Sequence, residues 1–138
     1  MNCHLVILKR AFLDAIRGGT KTVESRFTRT RWAYFGSVRA GDKLFLKLSS
    51  GPVCATACAA RVKYFSDLTP PKVGKIRRQY NHLIKADDDY WQSKSNCPFG
   101  MLVWLKDIEP IRPARINKKD WRAWVVLSER QDFGLLRA

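Results

Sequence analysis

Hydrophobic positions come in short runs whose period changes along the chain. Leu5-Val6-Ile7-Leu8 is a continuous apolar run, the pattern of a strand buried on both faces. Over 11–17 the apolar residues Phe12, Leu13 and Ile16 fall on one face of a helix, with Asp14 and Arg17 pointing away. Gly18 and Gly19 end that helix, because glycine adopts positive φ without steric cost. From Thr22 to Phe27 the period becomes two: Thr22, Glu24 and Arg26 share one face, and Val23, Ser25 and Phe27 the other. Lys43 to Leu48 reads as a strand closed by the turn Ser49-Ser50-Gly51-Pro52. Val53 to Tyr64 is a second, longer strand. Its alanines, Ala55, Ala57, Ala59 and Ala60, suit the tight curvature of a small barrel.

In the second half, Thr69-Pro70-Pro71 breaks the chain ahead of a helix over 72–85. Val73, Ile76, Tyr80 and Leu83 recur there at helical spacing, and Lys72, Lys75, Arg78 and Lys85 lie mostly on the other side. Asp87-Asp88-Asp89 is the one acidic run, read as a cap on a short helical turn or a solvated loop. Met101 to Ile108 alternates as a strand, and Pro110 and Pro113 bound a loop. The apolar stretch 121–127 fits either a last strand or a helical turn. The order predicts an α+β fold in a single domain over 1–138. Its core is a β-barrel of about five or six strands, with a short helix at one end and a second helix in the C-terminal half.

Charge narrows the partners. The 138 residues hold 26 basic and 12 acidic side chains, a net charge of +14. The surplus is uneven: residues 1–63 carry 12 of the basic and three of the acidic residues. A strong positive field favours polyanions, nucleic acid first. No apolar run approaches the roughly 20 residues that span a bilayer. The stretch Met1 to Leu5 lacks a basic segment leading into a long apolar one, so the expectation is a cytoplasmic protein without membrane contact. Cys3, Cys54, Cys58 and Cys97 contain no C-x-x-C spacing, and His4 and His82 are far apart, so neither a metal nor a cofactor is implied and free thiols are expected.

The residue types that carry chemistry concentrate in Gly19-Thr20-Lys21-Thr22-Val23-Glu24-Ser25-Arg26. An acid flanked by two bases can hold an anion, orient a polar ligand or transfer protons; a solvated ion-pair group on a strand end is the plain alternative. The stretch fits G-x-K-x-x-E-x-R at every fixed position. After a strand and a short helix, it resembles the ASCH family, which takes its name from the homology domain of a transcription coactivator and belongs to the PUA-like β-barrels. The turn Gly41-Asp42-Lys43 before the apolar run Leu44 to Leu48 resembles that family too. The resemblance covers residues 4 to about 64 well and the rest loosely.

The resemblance implies a PUA-like small barrel with the motif beside a cleft between helix and sheet. Lys21 and Arg26 would contact a phosphate or carbonyl-like oxygen, and Glu24 would accept hydrogen bonds from a base edge or ribose hydroxyl. Between Phe27 and Ala40, Arg29, Arg31 and Arg39 interleave with Trp32, Tyr34 and Phe35. Basic groups there can neutralise phosphates while Trp32 or Tyr34 stacks a base; the alternative is an aromatic core with a wet arginine rim.

The expected partner is RNA, another single-stranded nucleic acid or a nucleoside-like small molecule. Catalysis stays open. Some members of the resembled family are ribonucleases on single-stranded RNA, and for that chemistry Lys21, Glu24 and Arg26 would be the catalytic set. Others hydrolyse the amide of N4-acetylated cytidine. Their Lys matches Lys21, but their Thr nucleophile falls at the position of Glu24, so that mechanism lacks its nucleophile here. A protein-interaction module is the third class, with the Trp121/Trp124 pair as its candidate apolar patch. If the motif is functional, Lys21→Ala is expected to abolish binding or turnover with little effect on melting temperature.

Overall fold

A computed structural model describes residues 1–32, 35–116, 122–128 and 130–137. Strand β1 (Cys3–Leu8) is followed by α1 (Arg10–Arg17), β2 (Val23–Thr28), β3 (Lys43–Leu48) and β4 (Val53–Phe65). Then come α2 (Pro70–Ile84), α3 (Asp88–Lys94), β5 (Phe99–Ala114), β6 (Trp124–Val126) and a 3-10 turn at Leu135–Arg137. The strands form one curled, half-barrel sheet in the order β2-β5-β4-β3-β1-β6. β1 runs parallel to β3, and the other pairings are antiparallel. The fold is α+β, as the periodicity predicted.

Curvature comes from the long β4–β5 ribbon. Its register shifts between Val53 and Ala55, between Thr56 and Cys58 and between Ala59 and Arg61. Each such irregularity bends the strand and increases its twist. The buried alanines Ala55, Ala57 and Ala59 share the interior cluster with Leu13 and Ile16 of α1, with Val6, Leu8, Leu44 and Leu46 among its other members. The opposite face of β2 and β5 is covered by α2 and α3, which pack Val73, Ile76, Ile84 and Trp91 on Val23, Phe27 and Leu102. No helix among the described residues is long and apolar enough to cross a membrane.

Several elements differ from their sequence patterns. Pro70 and Pro71 do not precede the second helix but open it. Proline is tolerated there because the first-turn N–H groups have no intrahelical acceptor to lose. Lys85 terminates α2 in the left-handed region, at φ 61°. Pro110 and Pro113 lie inside β5, not in a loop. The β2 ladder ends at the Val23–Trp104 pair, so beyond it β5 has β4 alone as a neighbour, and a missing N–H on the open side costs no ladder bond. The acidic run does cap a helix: Asp87 Oδ1 accepts from the Tyr90 N–H at 2.8 Å, and α3 extends over seven residues. The 124–126 segment is a strand. Trp124 is buried, so it provides no exposed patch for the interaction-module reading, and Trp121 lies outside the described residues.

Candidate functional site

The motif loop is built backwards from the end of α1. Gly19 takes φ +83°, and the chain folds under the helix so that the Thr20 and Lys21 N–H groups both donate to Ala15 O, at 3.0 and 3.1 Å. This aims Lys21 inward. Its ammonium donates to Val23 O at 3.0 Å and to Ile84 O at 2.7 Å, and it stands 3.4 Å from Glu24 Oε1. An ammonium has three donors, and all three are engaged by the protein. With its side chain 1% exposed, Lys21 ties the start of β2 to the C-terminal end of α2. Burial lowers its pKa, opposed by the charge and hydrogen bond of Glu24 and reinforced by the charge of Arg26. Lys21 thus sits in the wall of the motif with its donors engaged by Val23 O, Ile84 O and Glu24.

Glu24 and Arg26 share the inner face of β2, as the period-two reading required. Glu24 Oε1 also accepts from the Ser25 N–H at 3.0 Å, and Oε2 accepts from Arg26 Nη2 at 3.0 Å. Burial by itself would push the Glu24 carboxyl up. The charges of Arg26 and Lys21, with the Ser25 and Arg26 hydrogen bonds, outweigh it and hold the group below the usual carboxylate range. Arg26 Nη2 donates a second bond, at 2.9 Å, to Ile7 O. A single guanidinium thus spans from edge strand β2 to β1. Arg26 Nε is buried without a hydrogen-bond partner, and Nη1 makes no hydrogen bond among the described residues.

Behind Arg26 the indole of Trp124 lies 5.4 Å from the guanidinium carbon. Its Nε1–H donates to His4 Nδ1 at 3.1 Å, and His4 Nε2 is 2.8 Å from Asp42 Oδ2. An indole only donates, so His4 Nδ1 must accept, which places the imidazole proton on Nε2, facing Asp42. Burial lowers the His4 pKa, with the Asp42 hydrogen bond and charge opposing. Asp42, from the Gly41-Asp42-Lys43 turn, also accepts from the Asn2 and Arg39 N–H groups at 3.0 and 2.9 Å.

In front of Arg26 a cleft of about 910 Å³ opens between the end of β1, α1, the β2 edge and α3. Lys9, Lys85 and Lys94 line it beside Lys21 and Arg26, against Glu24, Asp87 and Asp89. Phe12 and Tyr90 supply aromatic surface. The Tyr90 hydroxyl is 2.7 Å from Ser25 Oγ, and burial pushes its pKa up. Sequence reasoning did not place Lys9, Lys85 or Lys94 in the cleft and missed the Ser25–Tyr90 pair. No local signal links Tyr90 to a residue 65 positions earlier, although the i, i+4 spacing of Tyr90 and Lys94 marked one helix face.

Of the residues expected to bind, Lys21, Glu24 and Arg26 come together in the cleft. Arg29, Arg31, Trp32 and Arg39 do not line it. Arg29 and Arg39 are exposed, and Arg31 lies 5.2 Å over the Phe35 ring. Trp32 packs edge-on against Phe35 at 5.0 Å and belongs to the periphery of the interior cluster. Trp32 and Phe35 are half-buried in these packing contacts, and Tyr34 lies outside the described residues.

The architecture matches solved structures over nearly its whole length. An ASCH protein of Zymomonas mobilis superposes with TM-score 0.72 at 16% identity, over 98% of this chain and 94% of that one. Two single-site variants of it give TM-scores of 0.73 at 18% and 16% identity. The chain has an ASCH-domain fold. The ASCH resemblance read from G-x-K-x-x-E-x-R thus holds at the level of fold. By sequence, no family model and no curated protein matches the chain.

Proposed function

We propose that the cleft in front of Arg26 binds a nucleotide-like anion, with single-stranded RNA as the natural occupant. One observation carries the reading. Arg26 is anchored on one side by Glu24 and Ile7 O, while Nη1 has no hydrogen-bond partner among the described residues, in a cleft rimmed by three further lysines. A guanidinium held in this way meets a phosphate oxygen without losing side-chain freedom on binding. Phe12 and Tyr90 offer apolar surface for a base or ribose.

Binding is favoured over hydrolysis by the state of the candidate acid and base. Glu24 is held ionised by three donors, so it is a weak proton acceptor near neutrality, and the Lys21 donors are all occupied. The test is a fluorescence-anisotropy titration of a labelled eight-nucleotide RNA at two salt concentrations. Affinity that falls as salt rises is expected; no binding at low salt rejects the reading.

A further inference from the structure

A second array of cations and aromatic rings lies on the outer face of the sheet, away from the cleft. Arg61, Lys63 and Phe65 project from one face of β4, as period-two spacing requires. The Arg61 guanidinium carbon is 4.6 Å from the ring of Trp104, its register partner on β5. Lys63 Nζ sits 5.3 Å from the Phe65 ring and 5.9 Å from the Tyr80 ring. Tyr80 in turn meets Trp104 edge-on at 5.5 Å. Two cations thus alternate with three half-buried rings on one continuous surface.

These cations are available. The ion pairs among the described residues join His4 to Asp42, Lys21 and Arg26 to Glu24, and Arg77 to Asp88, and none involves Arg61 or Lys63. Each rests on an aromatic face, which restricts its motion while leaving its hydrogen-bonding edge to solvent. On α2, Arg77 and Asn81 face α3 through Asp88 and Trp91. At 100° per residue Lys72, which is exposed, falls about 80° from Tyr80 on the side away from Arg77 and Asn81, while Lys75 points further into solvent. Where charge attracts a polyanion, the interleaved rings select one with flat bases.

The array lies within reach of the cleft. Val23, Trp104 and Arg61 stand in register across β2, β5 and β4. Two strand spacings, about 10 Å, therefore separate the motif strand from Arg61. The C-terminal end of α2 spans the same gap, with Lys85 on the cleft and Tyr80 on the array.

We propose that Arg61, Lys63, Trp104 and Tyr80 form a second contact surface for single-stranded nucleic acid, engaging the nucleotides that leave the cleft. The cations take phosphates and the rings take bases. This extends the reading of the cleft, but the two sites are separable by ligand length. Titrate a uridine trinucleotide and a uridine dodecanucleotide into wild type, Arg61→Gln/Lys63→Gln and Arg26→Ala, with inorganic polyphosphate of matched charge as a further ligand. Both patch residues carry their charge at or near the surface, and circular dichroism verifies the fold of each variant.

The double substitution should weaken dodecamer binding on the order of tenfold and flatten its salt slope by about 1.4, as for two lost phosphate contacts on a single strand, with trinucleotide binding unchanged. An unchanged dodecamer affinity overturns the second surface and leaves the cleft intact. Equal losses for polyphosphate and dodecamer overturn it as a nucleic-acid site, leaving a patch of charge. If Arg26→Ala leaves trinucleotide affinity unaltered while the double substitution weakens the dodecamer, the cleft reading fails and the second surface stands. If wild type binds neither oligonucleotide, both fail.

Discussion

Replacing Lys21 by alanine should cost stability far more than ligand contact. The substitution deletes a side chain 1% exposed, leaves Val23 O and Ile84 O without their donor, and removes one of the two cations beside Glu24. Removing one partner of a buried ion pair costs about 3–5 kcal/mol. Glu24 keeps Arg26 and the Ser25 N–H, so the lower end applies, about 3 kcal/mol. The two orphaned carbonyls fall within that figure and are not added to it. At roughly 3–4 °C per kcal/mol for a domain of this size, the melting temperature should drop by about 10 °C. Urea unfolding should show a lower midpoint at unchanged slope. Lys21→Met restores the volume of the stem and should recover only the packing share, because a thioether donates nothing to the two carbonyls. Below the transition the variant should bind RNA within a few-fold of wild type, since the native ammonium has no donor to spare. A shift under about 3 °C, or loss of binding from a protein that melts like wild type, would refute this reasoning.

Glu24→Gln keeps the shape but leaves Lys21 and Arg26 without their counter-charge. It should lower stability by about 2 kcal/mol in denaturant unfolding and remove part of the acid sensitivity. The native Glu24 carboxyl sits below its ordinary 4.5, so its stabilisation is complete above pH 4.5 and is lost as pH falls below that value. His4 gives a separate window. Its folded pKa lies below the ordinary 6.5, so the unfolded chain takes up the proton first, and stability declines as pH falls from 6.5 towards the folded value. His4→Gln can still donate to Asp42 and accept from Trp124 but does not titrate. Its melting temperature should depend less on pH than that of wild type just below pH 6.5, and an identical slope would reject the lowered His4 pKa.

The parts of the molecule legible in the chain are those fixed by local period. β1, α1, β3 and β4 follow from runs within a few residues of one another, and alternation alone put Glu24 and Arg26 on one face. Long-range partners were not legible. Lys21 points to a carbonyl 63 residues away, and nothing in its neighbours marks it as buried. Trp32 and the nearby arginines carry the composition of a binding surface, but Phe35, Tyr64 and Phe99 gather the aromatics of that segment into packing contacts. Trp124, the candidate for an exposed apolar patch, sits in a segment too short to show which face is buried. Its burial depends on His4, 120 residues earlier. α3 was visible only as its aspartate cap, since seven residues are too few to show a helical period.

The central claim is that the Arg26 guanidinium, fixed by Glu24 and Ile7 O, is the anion anchor of the cleft. The affinity of an eight-nucleotide RNA for Arg26→Lys, set beside wild type at one low salt concentration, tests it most directly. Lysine preserves the charge but cannot bond Glu24, Ile7 O and a phosphate with the same planar fork. Binding should weaken at least tenfold, a loss of about 1.4 kcal/mol, in a protein that remains folded by circular dichroism. Wild-type affinity in the folded lysine variant would contradict the claim, because charge alone would then suffice and the geometry around Arg26 would have no part in binding.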